Sequence, residues 1–373
     1  MGIFDRYLLK NFLTPFFYCL LGFVSIWFIF DLSHNLLDYL DGGATISILL
    51  DYYRTQVPEI LVICLPLSSL LALLYSLTAM SRSNEIISML GAGRHVMRLL
   101  LPLFVVGLVC TGVVTYLNYE AVPHAAVIKK EMLRDIKHKI VNEVGLIGHL
   151  YRNREDNRIW YMRRLFPRAQ SAEDIQIIQQ NADDDIVEQI YAAKAQFDPF
   201  TGVWTFFKGM TTTMNAETND IERKEIFPKI EKKGWSETPW RISSAAMSPD
   251  FLSVPELKTY LDHNSDYSDK HLAPYRTQLA YRWALPWVCI LVILLAAPLG
   301  INYSRRGGVG SAGVAIILFF SMIFISIVAV SFGKGNYISP LAAAWGPFFI
   351  FFLLGSYLLW ARSGNREIGI LGL

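Results

Sequence analysis

The chain has 373 residues, of which 53% are hydrophobic, and a formal net charge of +2. Lys plus Arg and Asp plus Glu nearly balance in the long polar segment 118–282, which excludes a nucleic-acid-binding surface and an acidic tail. The apolar content exceeds that of a typical soluble domain and indicates a membrane protein with a sizeable polar part.

Six apolar runs are long enough to cross a bilayer, because a helix needs about 20 residues for a hydrocarbon core of roughly 30 Å. They occupy residues 12–30, 60–80, 99–117, 283–301, 309–332 and 337–361. The first run is too long for a signal-peptide core, and Asp31 and His34 follow it instead of a cleavage site. The four cysteines lie inside these runs, so no disulfide framework is predicted.

Lys and Arg are concentrated in one set of the short loops, which contains Arg6, Lys10, Arg82, Arg94, Arg98, Arg305, Arg306, Arg362 and Arg366. The alternate set has only Arg54 and Lys334. Because basic loops face the cytoplasm, both termini are predicted to be cytoplasmic and the long polar segment periplasmic.

A short helix is predicted between the second and third runs, within residues 81–98. Ser83 and Asn84 offer an N-cap, Ile86 and Leu90 recur at helical spacing, and a Gly-Ala-Gly sequence then ends the helix. The pattern predicts a helix that lies at the membrane surface and is exposed for contact with a molecule outside the lipid.

The polar segment reads as a β domain. Residues 158–166, 174–180, 187–197 and 203–207 have the composition of half-buried strands and are separated by turn signals. This spacing favours a β-sandwich or jelly roll. Residues 255–263 then read as a short helix that leads back to the membrane.

No catalytic residue, cofactor or metal site is predicted. The sequence has no GxxxxGK[ST], HExxH, CxxC or GxSxG motif, and its histidines are scattered. The apolar runs also lack the buried acids expected of a proton-driven carrier.

Four stretches resemble the LptF/LptG family of lipopolysaccharide-export permeases. They are FDRYLLKNFL, then YYRTQVPEILVICLPLSSLLALLYSL with SRSNEIISMLGAGRHVMRLLLPL, and YRWALPWVCILVILLAAPLGINYSRRGG. The resemblance implies an α-helical membrane protein with six transmembrane helices (3+3) and an inserted periplasmic β-jelly-roll-like domain. The expected division is 1–119, with the coupling helix at 81–98, then 120–276 and 277–373.

The resemblance also implies partners in the bacterial inner membrane: two copies of an ABC ATPase, a second LptF/LptG-type permease, a periplasmic bridge protein and lipopolysaccharide. The helix between the second and third spans docks into the ATPase in that family. Its acidic residue matches Glu85, and the predicted docking residues are Arg82, Glu85, Ile86, Met89, Leu90 and Arg94.

One departure from the family concerns lipid contact. Family members often carry a basic residue at the outer end of the first span, where this chain has Asp31 and His34. By position, the outer-face cations left to contact lipid phosphates are Arg54, Arg276, Arg282 and Lys334. Two explanations of this departure remain open. The lipopolysaccharide has fewer phosphates, or a cation bridge forms through Asp31.

Two alternative functions are consistent with the same residues. One is a permease for another large lipid or a lipoprotein. The other is a non-transport membrane scaffold or receptor whose β domain binds an envelope partner. A scaffold needs no exposed acidic helix between its spans, so the helix at 81–98 favours a permease.

Overall fold

A computed structural model of the chain shows two compact units. The helical unit comprises Met1–Lys139, Pro249–Leu261 and Ser268–Leu373, and the sheet unit comprises Ile140–Ser248 and Asp262–Tyr267. The residues that the structure describes are 2–41, 43, 45–92, 96–126, 128–129, 132, 146–153, 156–166, 169–181, 185–215, 221–244, 248–265, 267–301 and 308–363.

The helical unit begins with α1 (Ile3–Asp41), α2 (Ile46–Arg82), α3 (Glu85–Gly91) and α4 (Val96–Tyr116), and α4 continues into a π-helical turn at Leu117–Ala121. After the sheet unit come a 3₁₀ turn (Pro249–Phe251), α5 (Val254–His263), α6 (Asp269–Ala284), a second 3₁₀ turn (Leu285–Trp287), α7 (Val288–Gly300), α8 (Gly308–Lys334) and α9 (Pro340–Ser363).

Within the described residues, six helices are long and apolar enough to cross a membrane: Ile3–Leu37, Ile46–Arg82, Val96–Ala126, Asp269–Gly300, Gly310–Lys334 and Pro340–Ser363. Each overlaps one of the six predicted runs, so the three-plus-three layout is confirmed. The helices extend beyond the apolar runs. α1 has 39 residues, which at 1.5 Å per residue is about 58 Å.

The centre of the helical unit is α7, whose side chains are buried almost all round from Val288 to Gly300. It packs against α2, α4, α8 and α9. A helix that is apolar on every side is expected in such a position, since it has no polar face to present to water.

The fifth and sixth spans approach closely at Gly333. A Cβ atom added there would lie 2.5 Å from the Cβ atom of Ala343 and 2.8 Å from Cγ2 of Thr277. Gly313, near the other end of α8, has open space at the same position. The two glycines therefore differ in what an added methyl group would meet.

The sheet unit contains a single six-stranded antiparallel sheet in the part of the chain that is described. Its strands are β1 (Leu146–Asn153), β2 (Arg158–Phe166), β3 (Ser171–Gln180), β4 (Ile186–Asp198), β5 (Val203–Met214) and β6 (Ile221–Lys232). Each strand pairs with the next along the chain, so the sheet is open and β1 and β6 form its edges. The predicted inserted β domain is confirmed, and in the described residues it consists of one open sheet rather than the two packed sheets of a β-sandwich.

Aromatic rings fill the core of the sheet unit. Trp160 and Trp204 are fully buried, and their ring centroids are 5.2 Å apart. Phe206 and Trp235 contact the same group of rings. Trp204 and Phe206 occupy alternate positions on β5 and therefore point to the same face of the sheet. There they meet Trp160 of β2 and Trp235, which follows β6.

A buried ion pair holds the segment after β6 against the sheet. Glu237 is fully buried, and its Oε2 atom accepts a hydrogen bond from Arg158 Nη1 at 2.7 Å. Asn153 donates to Glu237 Oε1 at 2.7 Å, and Asp156 lies 2.9 Å from Arg158 Nη2. Trp204 donates through Nε1 to the Glu237 carbonyl at 2.6 Å.

The four predicted strands all occur, and β2 has the predicted bounds 158–166. Both edge strands lacked an individual prediction. β6 has the sequence IERKEIFPKIEK, in which charged residues interrupt the alternation of apolar and polar residues that predicts a strand. The predicted helix at 255–263 is α5, which begins one residue earlier, at Val254.

Candidate docking helix and lipid-contact residues

The predicted docking helix is α3, which has 7 residues and follows a sharp turn after α2. Asn84 makes this turn with a left-handed φ of 60°, a conformation that Asn tolerates better than most residues. Asn84 makes no side-chain capping hydrogen bond, whereas the Ser83 hydroxyl donates to Glu85 Oε1 at 2.9 Å. The helix ends at Gly91, and Arg94 lies outside the described residues.

Glu85 is half-buried and joins two helices. The Tyr7 hydroxyl, on α1, donates to Glu85 Oε2 at 3.1 Å across a sequence separation of 78 residues. Sequence reasoning missed this contact because nothing along the chain connects the two positions. The carboxylate thus has two donors from its own chain while part of it stays exposed.

The two faces of α3 have different environments. Ile86 and Met89 are buried in the core of the helical unit, and Leu90 packs partly against that core. The expectation that Ile86 and Met89 contact a partner is therefore corrected: the apolar face of α3 packs against its own chain. Arg82 and Ile87 are exposed beside it.

Asp31 lies in a cluster of polar and aromatic side chains at the adjoining ends of α1 and α2. Asn35 and the Tyr39 hydroxyl donate to its carboxylate at 3.2 and 3.1 Å, and the Tyr52 hydroxyl lies at 3.5 Å. Burial raises the pKa of the Tyr39 hydroxyl above its ordinary value, so this group stays protonated and donates. Asp31 is half-buried, whereas His34 is exposed.

Three of the predicted lipid-contact cations differ in how they are partnered. Arg54 is exposed and forms no ion pair with any residue that the structure describes. Arg276 Nη1 lies 2.7 Å from Asp269 Oδ1, and Lys334 Nζ lies 2.7 Å from Asp250 Oδ1. Lipid phosphates would compete with an existing carboxylate at Arg276 and Lys334, but not at Arg54.

The fourth cation, Arg282, is buried, so the expectation that it contacts lipid is corrected. It donates to the carbonyl oxygens of Asn118 at 3.2 Å and Asp250 at 2.8 Å, and Asn118 donates back to the Arg282 carbonyl at 2.8 Å. Asn118 belongs to the π-helical turn, where the regular helical hydrogen bonding is interrupted. Arg282 anchors the third span, the fourth span and the Pro249–Phe251 turn to one another.

Among the described residues, no group of three or more His, Cys, Asp or Glu side chains could hold a metal ion. Within the described residues, six apolar helices, a sheet unit inserted after the third and a short helix between the second and third are the features of a multi-pass membrane protein. The chain belongs to the family described as lipopolysaccharide export system permease LptF/LptG, whose model matches residues 6–361.

This match confirms the resemblance seen in the sequence and covers nearly the whole chain. At the level of the family, the protein is an inner-membrane transporter permease for lipopolysaccharide export and not a catalytic enzyme. The family also implies a complex with other components of the export system. A comparison with curated proteins found no match.

Proposed function

We propose that this chain is the permease subunit of an ABC transporter that extracts lipopolysaccharide from the inner membrane and passes it to a periplasmic bridge protein. Family membership supports the cargo. The sequence has no P-loop motif, so we infer that a separate ATPase supplies the energy. The resemblance to the family implies two copies of it. The distribution of Lys and Arg favours cytoplasmic termini and a periplasmic sheet unit.

This orientation is testable at Phe200, which is 97% exposed in the turn between β4 and β5. A cysteine at this position should react with a membrane-impermeant maleimide from the periplasmic side of intact cells. Labelling that requires lysis of the inner membrane would contradict the proposed orientation.

The observation that carries the proposal is the packing of α3. Ile86 and Met89 are held in the core of the helical unit, while Arg82 and Ile87 face outward. A protein that binds the outward side therefore pushes on a helix whose other side is packed against the spans. Movement of a docked ATPase is then transmitted to the spans rather than absorbed by a loop.

The docking proposal predicts that Arg82→Glu and Ile87→Asp weaken co-purification with the ATPase. Glu85→Ala should uncouple ATP hydrolysis from lipid release, and Glu85→Lys should be worse because it places like charges together. Removing one member of a charge pair buried at an interface typically costs about 2–5 kcal/mol. An ATPase with the opposite charge in its groove should partly rescue Glu85→Lys.

Tyr7→Phe is the matched control, since it removes only the hydroxyl that donates to Glu85. If Glu85 acts solely by holding α1 to α3, Tyr7→Phe and Glu85→Ala should have equal effects. If Glu85→Lys assembles and transports like the parent protein, the docking proposal is wrong.

The second permease is proposed to bind the first and fifth spans. Only 11% of the most apolar stretch of the first span and 28% of that of the fifth are buried, against 78% for the fourth. Gly310 and Gly313 on α8 also leave open space for a neighbouring helix. Cysteines at Leu21 and Ile317, which are 66% and 68% exposed, should crosslink to that permease. Phe349, 63% exposed on the sixth span, is the control position that should not.

Arg54 is the proposed contact for lipopolysaccharide phosphates, because it is exposed and has no acidic partner in the described part of the chain. Arg54→Gln should reduce photocrosslinking of lipopolysaccharide to the helical unit. Arg276→Gln should have a smaller effect, since that cation already pairs with Asp269. Equal crosslinking by the parent and Arg54→Gln proteins would exclude Arg54 from the contact.

The bridge protein is proposed to pair with β6. An edge strand presents unpaired N–H and C=O groups, to which a strand of another protein can add. β6 is largely exposed, and Ile221 and Ile226 are 60% and 85% exposed. Photocrosslinkers at these two positions should capture a periplasmic partner. Active protein that captures none would show that β6 is not the bridging edge.

A further inference from the structure

An apolar groove on the surface of the helical unit lies outside the sites described above. The third, fourth and sixth spans line two adjoining cavities of about 700 and 850 Å³, which are within the range of about 300–1,000 Å³ typical of ligand sites. Phe104, Leu294 and Phe352 line both cavities. The two cavities therefore adjoin along these three side chains, and together they are called the groove.

The two ends of the groove differ in charge. Trp287 and Trp345 line one end, with ring centroids 6.4 Å apart, and Arg98 and Trp360 line the other. On α9, Trp345 and Trp360 are separated by about 22 Å along the helix axis at 1.5 Å per residue. Tryptophan favours the membrane interface, so these residues mark the two membrane–water interfaces between which the groove runs.

Arg98 is exposed and forms no ion pair with the residues that the structure describes. Besides the hydroxyls of Ser356 and Ser363, the side chains around it in the groove are apolar or aromatic. A guanidinium at the end of an apolar groove complements an amphiphile that has an anionic head group and an acyl chain.

We propose that this groove is a binding site for an anionic phospholipid of the phosphatidylglycerol class. Its phosphate contacts Arg98, and one acyl chain lies along Leu101 and Phe104 towards the second cavity. In the orientation proposed above, Arg98 lies at the cytoplasmic side, so the lipid comes from the cytoplasmic leaflet. The site is separate from Arg54, the proposed contact for the cargo.

The position of the charge favours a phospholipid over the cargo as the occupant. In the proposed function, lipopolysaccharide is extracted with its phosphates at the periplasmic side of the membrane. The lining residues at that end of the groove include Trp287, Trp345 and Leu341 but no cation. The cationic end instead faces the leaflet whose anionic lipids attract basic residues.

The test is lipid binding by the purified full-length protein, measured by native mass spectrometry with phosphatidylglycerol and phosphatidylcholine of identical acyl chains. Quenching of tryptophan fluorescence by brominated acyl chains reports contact with the groove independently. The parent protein should bind phosphatidylglycerol saturably and more tightly than phosphatidylcholine. Arg98→Gln should weaken phosphatidylglycerol binding about fivefold and leave phosphatidylcholine binding unchanged.

Arg6→Gln is the matched control, because Arg6 is an exposed cation on α1, a helix that does not line the groove. It should retain the parent preference. Ser356→Phe, which places a ring in the groove, should weaken binding of both lipids while its unfolding temperature stays near that of the parent. If Ser356→Phe loses both lipid binding and folding, the comparison of Arg98→Gln with the parent protein decides the test.

Three results would overturn the proposal. The first is equal affinity of the parent protein for the two lipids, and the second is equal behaviour of Arg98→Gln and Arg6→Gln. The third is displacement of phosphatidylglycerol by lipopolysaccharide or by assembly with a second permease, which assigns the groove to the cargo or to a protein interface. The choice of leaflet and occupant rests on the proposed function, but the binding measurements include no transport, so the lipid proposal can fail while the export function holds.

Discussion

Replacing Glu237 by glutamine removes a negative charge from the interior of the sheet unit while keeping the size of the side chain. The parent carboxylate has zero exposed surface and lies 2.7 Å from both Arg158 Nη1 and Asn153 Nδ2. A glutamine side chain can still accept one of these hydrogen bonds. The N–H group of its amide would then face the other donor, and Arg158 would lose the negative charge of its buried partner.

Breaking a buried ion pair by removing one member costs about 3–5 kcal/mol. Arg158 keeps a second carboxylate at 2.9 Å, that of Asp156, which is 38% exposed. We therefore expect the lower end of this range, about 3 kcal/mol. For a domain of this size, such a loss lowers the unfolding midpoint by on the order of 10 °C.

The assay is thermal unfolding of the full-length protein in detergent, followed by tryptophan fluorescence and by limited proteolysis within the sheet unit. Glu173→Gln is the control, because Glu173 pairs with Arg164 across β2 and β3 at 2.9 Å on the exposed side of the sheet. Exposed pairs contribute about 0–1 kcal/mol, so this variant should unfold close to the parent. If Glu237→Gln unfolds at the same temperature as Glu173→Gln, the buried pair does not hold the segment after β6.

Gly333→Ala should destabilise the helical unit by about 1–3 kcal/mol, because its methyl group has no room where the fifth and sixth spans meet. Gly313→Ala, at an open position, should leave the unfolding temperature in detergent unchanged, and equal effects of the two would contradict the close approach. Arg282→Met should leave the buried carbonyl group of Asn118 unpaired at about 1–3 kcal/mol and increase proteolysis near the third span, whereas Arg276→Met should change little. A threonine hydroxyl and a backbone N–H donate to Asp198 and lower the pKa of that carboxyl. Its stabilisation should therefore be present above the ordinary pKa of about 3.9 and be lost as pH falls through the lower folded-state pKa. The unfolding midpoints of the parent and Asp198→Asn should then converge in acid, and a constant difference between them would show that the turn does not depend on this charge.

The helical half of the fold was predictable because its signal is local. Each span is a run of about 20 apolar residues, a length set by the thickness of the hydrocarbon core. No packing information is needed to find such a run, and all six predicted runs occur as helices. The central strands of the sheet unit were likewise visible from alternation and turn residues, whereas the charged strand β6 was not.

The candidate site was only partly predictable. The sequence placed Arg54 and Arg282 in one class, as cations near the ends of spans. Packing separates them, because Arg282 is buried against Asn118 and Asp250 while Arg54 stays exposed. The same holds for α3, where helical spacing predicted the helix but not that Ile86 turns towards the core.

By itself, then, the sequence determined the number of spans, the insertion of a β domain after the third and the presence of a short helix between the second and third. These follow from composition and periodicity read along neighbouring residues. Tertiary structure alone decided that Tyr7 donates to Glu85 and that Asn118 meets Arg282, across 78 and 164 residues. The physical reason is that such contacts depend on how each helix is rotated and packed against the others, and local sequence carries no direct record of that rotation.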